Sequence, residues 1–126
     1  MPPSRDGDDV MASYPTFIPG AGASIATNNV MTGAGKVRWL SREASQDPVD
    51  NGWRVLSDID TDDYLANPDN SRVVDFNELC AIEPALIPIW DFPVGSQLRI
   101  DRPGSGGIAI VDEATGRALT REQLYR

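Results

Sequence analysis

The stretch Lys36-Val37-Arg38-Trp39-Leu40-Ser41-Arg42 is decisive for the fold class, because two sets of side chains alternate along it. Positions 37, 39 and 41 fall on one side of an extended chain and positions 38, 40 and 42 on the other, which is typical of a strand with one buried face. Upstream, the turn sequence Thr32-Gly33-Ala34-Gly35 separates this stretch from residues 23–31, a predicted first strand. We expect the two strands to close a hairpin.

Short strands and short helical segments are predicted on the C-terminal side of this stretch. Further strands are predicted at residues 53–56, 72–76 and 97–101, and in a hairpin formed by residues 108–111 and 117–119, with a loop at 46–52. Helical turns are predicted after caps at Asp60 or Thr61, at Asp75 or Asn77, and at Thr120, and another from Pro84. The sequence therefore predicts one α+β domain, a mostly antiparallel sheet with two or three short helices.

The length of 126 residues fits a single domain with one modest core. Residues 1–22 are predicted to be a flexible N-terminal tail, because polar residues are followed there by Pro15, Pro19 and Gly20. Residues 23–126 form the predicted folded domain, with 102–126 as a C-terminal hairpin extension. Trp39 and Trp53 are predicted to anchor the core, and Trp90 is predicted to be partly exposed.

Composition favours a cytoplasmic binding protein over an enzyme. The single cysteine, Cys80, excludes an intramolecular disulfide and fits a reducing compartment. No apolar stretch approaches the roughly 18 residues of a membrane span, and the N-terminus lacks the blocks of a signal peptide. Without histidine, the chain lacks the commonest general base and transition-metal ligand, so no catalytic residue, metal or cofactor is predicted.

The net charge of −8 disfavours nucleic acid as a partner, because phosphate neutralisation needs a basic face. An acidic surface instead suits a basic protein, whose encounter it accelerates by electrostatic steering. The predicted contact patch combines the carboxylates that cluster around the second core strand with one aromatic residue: Asp47, Asp50, Asp58, Asp60, Asp62, Asp63 and Tyr64.

The acidic run from Asp58 to Asp69 also permits a different function, a calcium- or small-ligand-binding module. Its carboxylates resemble the spacing of an EF-hand loop, but Asp63 replaces the glycine of the sharp turn and Asp69 is shorter than the usual glutamate. The same run is also compatible with a solvated, capped turn that has only a structural role. A small hydrolase is the least favoured function for this chain.

A family resemblance is carried by three short motifs. Asn51-Gly52-Trp53-Arg54, then Asn67-Pro68-Asp69-Asn70, then Pro93-Val94-Gly95-Ser96 together resemble the bacterial immunity protein 33 family over residues 23–101. The resemblance implies a role in polymorphic toxin systems, in which such a protein binds a cognate toxin and blocks it. It implies no catalytic residues. The second and third motifs also have the chemistry of tight turns, so most of these residues are expected to have a structural role.

Overall fold

The computed structural model describes residues 14–104 and 106–125, which form one seven-stranded sheet with short helices. The strands are β1 (Ala23–Thr27), β2 (Val37–Arg42), β3 (Asp50–Ser57), β4 (Ser71–Asp75), β5 (Gln97–Asp101), β6 (Ala109–Asp112) and β7 (Arg117–Ala118). The α-helices are α1 (Asn28–Thr32), α2 (Asp62–Ala66), α3 (Phe76–Ile82) and α4 (Arg121–Leu124), with 3₁₀ segments at Pro68–Asn70 and Pro84–Ile89.

The strands lie in the order β4-β1-β3-β2-β5-β6-β7. The β1–β3 pair is parallel, and the remaining neighbours are antiparallel. This confirms the predicted α+β domain with a mostly antiparallel sheet, although the described residues hold four short α-helices and not two or three. The predicted hairpin between the first two strands is wrong, because β3 lies between β1 and β2.

The first strand is shorter than predicted because Thr27 ends it. The Thr27 hydroxyl accepts a hydrogen bond from the Val30 N–H at 3.4 Å, which caps α1. Gly33 ends the helix in the left-handed conformation at φ 80°. Residues 28–31 are therefore helical, and the buried Val30 side chain joins the core.

The third strand begins earlier than predicted, at Asp50, so residues 50–52 do not belong to a loop. The Gly52 carbonyl accepts a hydrogen bond from the Glu43 N–H at 2.8 Å. The Asn51 side chain also joins this strand to the start of β1, through the Ser24 hydroxyl at 2.8 Å. These bonds satisfy backbone and amide groups that a loop would leave to water.

The two faces of the sheet differ in what covers them. One face, here called the covered face, packs against the helices in a single core; its strand residues include Ala26, Leu40, Trp53, Val55, Leu98 and Ile100. Phe76, Leu79, Leu86 and Ile89 complete this core from α3 and the following 3₁₀ segment. The alternate positions form the opposite face, here called the open face; they include Ile25, Trp39, Arg54, Leu56, Val73 and Arg99.

The prediction that Trp39 anchors the core is wrong, because its side chain is 40% exposed on the open face. Val37 pairs with Ser57 whereas Trp39 pairs with Leu56, so β2 carries one extra residue between these two positions. Such a bulge shifts the alternation, so that Val37 and Leu40 both face the core. Trp53 is fully buried and Trp90 half-buried, as predicted.

Residues 14–22 of the predicted tail lie along the domain. The Asn77 side-chain oxygen accepts hydrogen bonds from the Phe17 and Ile18 N–H groups, both at 2.9 Å, and the Tyr14 hydroxyl donates to Asp75 at 2.8 Å. Residues 1–13 of that prediction lie outside the described residues. Across the described ranges, no helix is long and apolar enough to cross a membrane.

The C-terminal segment also contacts the domain. Leu119 and Leu124 pack against the core. The Arg102 guanidinium donates to the Val37 carbonyl at 2.7 Å and pairs with the Glu83 carboxylate. The predicted hairpin of β6 and β7 is confirmed, as is the Thr120 cap of α4.

Candidate functional site

The predicted contact residues fall into two groups at opposite ends of β3. Asp58, Asp60, Asp62, Asp63 and Tyr64 follow the end of the strand, whereas Asp47 and Asp50 lie at its beginning. An eight-residue strand spans about 23 Å at about 3.3 Å per residue. The structure therefore brings the first group together and does not bring the second group to it.

Asp60 shapes the turn that follows β3. Its two carboxylate oxygens accept hydrogen bonds from the Ser57 N–H at 2.7 Å and from the Asn29 side-chain amide at 2.8 Å. Burial acts to raise the pKa of Asp60, but these hydrogen bonds outweigh it and lower the pKa below its ordinary value. Both oxygens are thus committed to this chain, and Asp60 fixes the position of its neighbours.

Asp58, Asp62 and Asp63 are exposed at this turn. The Asp58 carboxylate accepts the Lys36 N–H at 3.0 Å, which ties the turn to the start of β2. Asp62 and Asp63 form the first turn of α2, where unpaired backbone N–H groups favour negative charge. The Thr61 hydroxyl caps this helix by accepting the N–H of the half-buried Tyr64 at 3.1 Å. The result is three exposed carboxylates on a well-defined turn.

At the other end of β3, Asp50 is paired within the chain. Its carboxylate oxygens accept hydrogen bonds from both terminal nitrogens of Arg54, at 3.0 and 2.9 Å. The Arg54 guanidinium holds the pKa of Asp50 well below its usual range, against an opposing effect of burial. Asp47 is exposed, and its carboxylate accepts the Val49 N–H at 2.9 Å.

Two depressions lie on the open face. The larger, about 350 Å³, is lined by Trp39, Leu40, Ser41, Arg54, Leu56, Gln97, Leu98 and Glu113. The smaller, about 120 Å³, is lined by Ala23, Ser24, Ile25, Asp47, Val49, Asp50 and Val73. The sequence predictions missed Trp39, Ile25 and Val73 as surface residues. On β3, the position of Arg54 between Trp53 and Val55 was a signal for this face, whereas on β2 the bulge hid it.

The comparison with protein families gives one match. A family model described as the immunity protein Imm33 domain matches residues 24–106, more than half of the chain. This chain belongs to the Imm33 family. The match confirms the resemblance identified from the sequence motifs and assigns the chain an immunity function in general terms. No curated protein and no solved structure matches the chain.

In this Imm33 domain, the match runs from β1 through β5 into the loop that follows, slightly beyond the predicted residues 23–101. Strands β6 and β7 and helix α4 lie beyond it. The predicted contact residues all lie inside it. Asp47, Asp50 and the turn after β3 are therefore part of the Imm33 domain itself.

The first sequence motif of this Imm33 domain, residues 51–54, builds the fold. The Asn51 side chain accepts the Trp53 N–H and donates to the Ala21 carbonyl, both at 2.9 Å. Gly52 has φ 89°, and a Cβ there would lie 2.1 Å from the Glu43 carbonyl oxygen. The Trp53 indole N–H donates to the Trp90 carbonyl at 2.9 Å. These contacts join β3 to β1, β2 and the 3₁₀ segment.

The geometry does not support a calcium site. Within residues 14–104 and 106–125, no three Asp, Glu or Cys side chains come together as a metal-binding group. The Asp58 and Asp60 carboxylates accept hydrogen bonds from this chain's own N–H groups.

Cys80 is buried, and burial raises the pKa of its thiol to about 11, so the reactive thiolate is scarce at neutral pH.

Proposed function

We propose that this Imm33 domain binds a cognate bacterial toxin, a basic protein, and neutralises it in the cytoplasm by surface complementarity and not by catalysis. Membership of the family supports a toxin as the partner. The net charge of −8 supports a basic one, and the single buried cysteine fits a reducing compartment. The absence of histidine from the sequence supports inhibition by binding.

The single observation that carries this proposal is the exposed turn after β3. Asp58, Asp62 and Asp63 offer carboxylates within a short segment that Asp60 fixes to the end of the sheet. A surface that is already ordered loses little conformational entropy when a partner binds, which raises affinity. Lysine and arginine side chains of the toxin are the expected counterparts, with Tyr64 contributing an aromatic contact beside them.

The remaining predicted contact residues contribute differently to the proposed binding. Asp47 offers an exposed carboxylate at the far end of β3, where it adds to the long-range field that attracts a basic protein. Asp50 contributes by holding the Arg54 side chain in place, because the charges of these two residues are already paired. Asp60 acts by positioning the turn.

A charge reversal on matched helices tests the proposal. Asp63 and Glu122 are both the second residue of a short helix capped by threonine, and both are exposed. The probe must first be identified as a toxin domain encoded in the reading frame next to this gene. We expect Asp63→Lys to weaken binding to that toxin domain by at least about 10-fold and to reduce protection in cells that express it. Glu122→Lys makes the same change of charge outside the proposed contact and should leave both unchanged.

Both readouts can contradict the proposal. If Asp63→Lys and Glu122→Lys bind and protect equally well, the turn after β3 is not part of the contact. A wild-type chain that neither binds that toxin domain nor protects against it would overturn the proposed function. Association rates measured between about 50 and 200 mM salt should fall steeply if electrostatic steering contributes.

A further inference from the structure

The open face presents an apolar centre to solvent. Trp39 is 40% exposed and pairs across the strands with Leu56, while Val73 on the outer strand β4 is 72% exposed beside Ile25. The buried side chains of the helices belong to the core on the opposite side of the sheet. A partly exposed tryptophan among aliphatic residues is typical of a binding hot spot.

Ion pairs surround this apolar centre. Arg99 contacts Glu113 at 2.9 Å and Asp101 at 3.0 Å, as Arg54 contacts Asp50. The guanidinium of Arg38 lies 5.0 Å from the Trp39 ring centre. These contacts restrain long side chains before any partner arrives, so that ordering them costs little upon binding.

The net charge around this face is negative. Three arginines, Arg38, Arg54 and Arg99, share the face and its border with five carboxylates, those of Glu43, Asp47, Asp50, Asp101 and Glu113. Asp58 adds another carboxylate two residues beyond Leu56 along the chain, at the end of β3. The two acidic groups that lie at opposite ends of this strand therefore border one continuous surface.

The dimensions of this surface fit a protein partner. It extends about 23 Å along β3 and about 24 Å across the strands from β4 to β6, at about 4.8 Å per strand. A stable interface buries about 800 Å² of accessible surface on each partner, an area of the same order. A second copy of this chain is disfavoured as the occupant, because its own acidic border would face this one.

We propose that the open face, with Trp39 as its anchor, is where the toxin docks. The occupant is a folded basic protein that places an apolar patch over Trp39 and Leu56 and surrounds it with lysine or arginine. This inference rests on the proposed function and extends it, because it places the centre of the contact on the sheet and the acidic turn after β3 at the border.

The first test removes the anchor and uses a matched apolar control. Ile82 on α3 is 42% exposed, nearly the same as Trp39, but lies on the helical side of the domain. The probe is the toxin domain encoded in the adjoining reading frame, with its activity disabled by mutation, and affinity is measured by calorimetry. We expect Trp39→Ala to weaken binding by about 30-fold or more and Ile82→Ala to change it by less than about 3-fold.

The second test uses charge at the other end of the face, where a substitution disturbs few contacts. Val73→Lys and Val73→Glu place side chains of similar length on the same exposed position of β4. We expect Val73→Lys to weaken binding by about 10-fold or more and Val73→Glu to weaken it much less, because only the lysine repels a basic partner. Thermal unfolding of each variant measures whether the fold is retained.

The outcomes of these tests separate this inference from the proposed function. A wild-type chain that does not bind the toxin domain overturns the proposed function and this inference with it. Wild-type binding that survives in both Trp39→Ala and Val73→Lys leaves the proposed function standing and overturns the open face as the docking surface. A concentration-dependent dimer of the chain alone that Trp39→Ala dissociates, with toxin binding unaffected, assigns the face to a second copy instead.

Discussion

Trp39 and Trp53 occupy neighbouring strands of the same sheet, yet their environments are opposite. Trp53 is fully buried, donates to the Trp90 carbonyl and lies 5.9 Å from the Arg42 guanidinium. Trp39 faces solvent on the open face, beside Arg38. The covered face thus uses its tryptophan to hold the fold, and the open face leaves its tryptophan partly exposed to solvent. Residue type alone therefore does not tell which tryptophan serves the fold.

The largest expected effect tests this contrast directly. Trp53→Ala removes a large buried side chain and its hydrogen bond, and should lower the free energy of unfolding by about 3–5 kcal/mol. Trp39→Ala removes a cross-strand contact on an exposed face and should cost about 1 kcal/mol. Urea unfolding of both variants measures the difference. Equal losses in the free energy of unfolding would mean that the two tryptophans contribute equally to stability.

Two glycines extend the contrast, because both have a positive φ and they differ in their surroundings. Gly52→Ala should cost about 3 kcal/mol, since its Cβ would meet the Glu43 carbonyl oxygen at 2.1 Å. Gly95 has φ 97° and no neighbouring atom within 4 Å of an added Cβ, so Gly95→Ala should cost about 1 kcal/mol, from backbone strain alone. Thermal unfolding of the pair checks the order, and a reversed order would contradict the close approach of β2 and β3.

The smallest expected effect concerns the ion pair that borders the open face. Asp50→Asn should cost about 1 kcal/mol at neutral pH, because water screens a pair of this exposure. A carboxyl group whose pKa is lowered by folding stabilises the protein above its unfolded pKa of about 4, and this contribution is lost as the pH falls through the folded value. The difference between wild type and Asp50→Asn should therefore shrink as the pH is lowered below about 4.

Asp47→Asn is the control for that experiment. Asp47 is exposed, and its hydrogen bond to the Val49 N–H can be kept by the oxygen of an asparagine. We expect a change below about 0.5 kcal/mol. If Asp50→Asn costs no more than Asp47→Asn, or if its cost does not vary with pH, the ion pair with Arg54 contributes no stability.

The elements that the sequence predicted well are those fixed by neighbouring residues. Thr61, Asp75 and Thr120 cap helices because their side-chain oxygens accept N–H groups two or three residues later, a relation visible in the sequence. The strand at 97–101 was predicted from alternation alone and matches β5. Local chemistry decided these positions without help from the rest of the fold.

The errors arose where distant segments determine the result. The bulge that turns Trp39 towards solvent depends on the pairing of β2 with β3, and the parallel pairing of β1 with β3 depends on strands that are far apart in sequence. The spacing of the predicted contact residues also depends on the fold. Sequence proximity grouped Asp47 and Asp50 with the later acids, whereas an extended strand separates them and pairs Asp50 with Arg54.

The position of β1 between β3 and β4 sets an order of events during synthesis. The first strand is synthesised before its two partners, which end at Ser57 and Asp75, so it gains both neighbours only after Asp75 has emerged. The β2–β3 pair is close in sequence and can form first, which makes it the expected nucleus. Until β4 is made, one edge of β1 lacks its strand partner, and its backbone N–H and C=O groups on that side can pair with another strand.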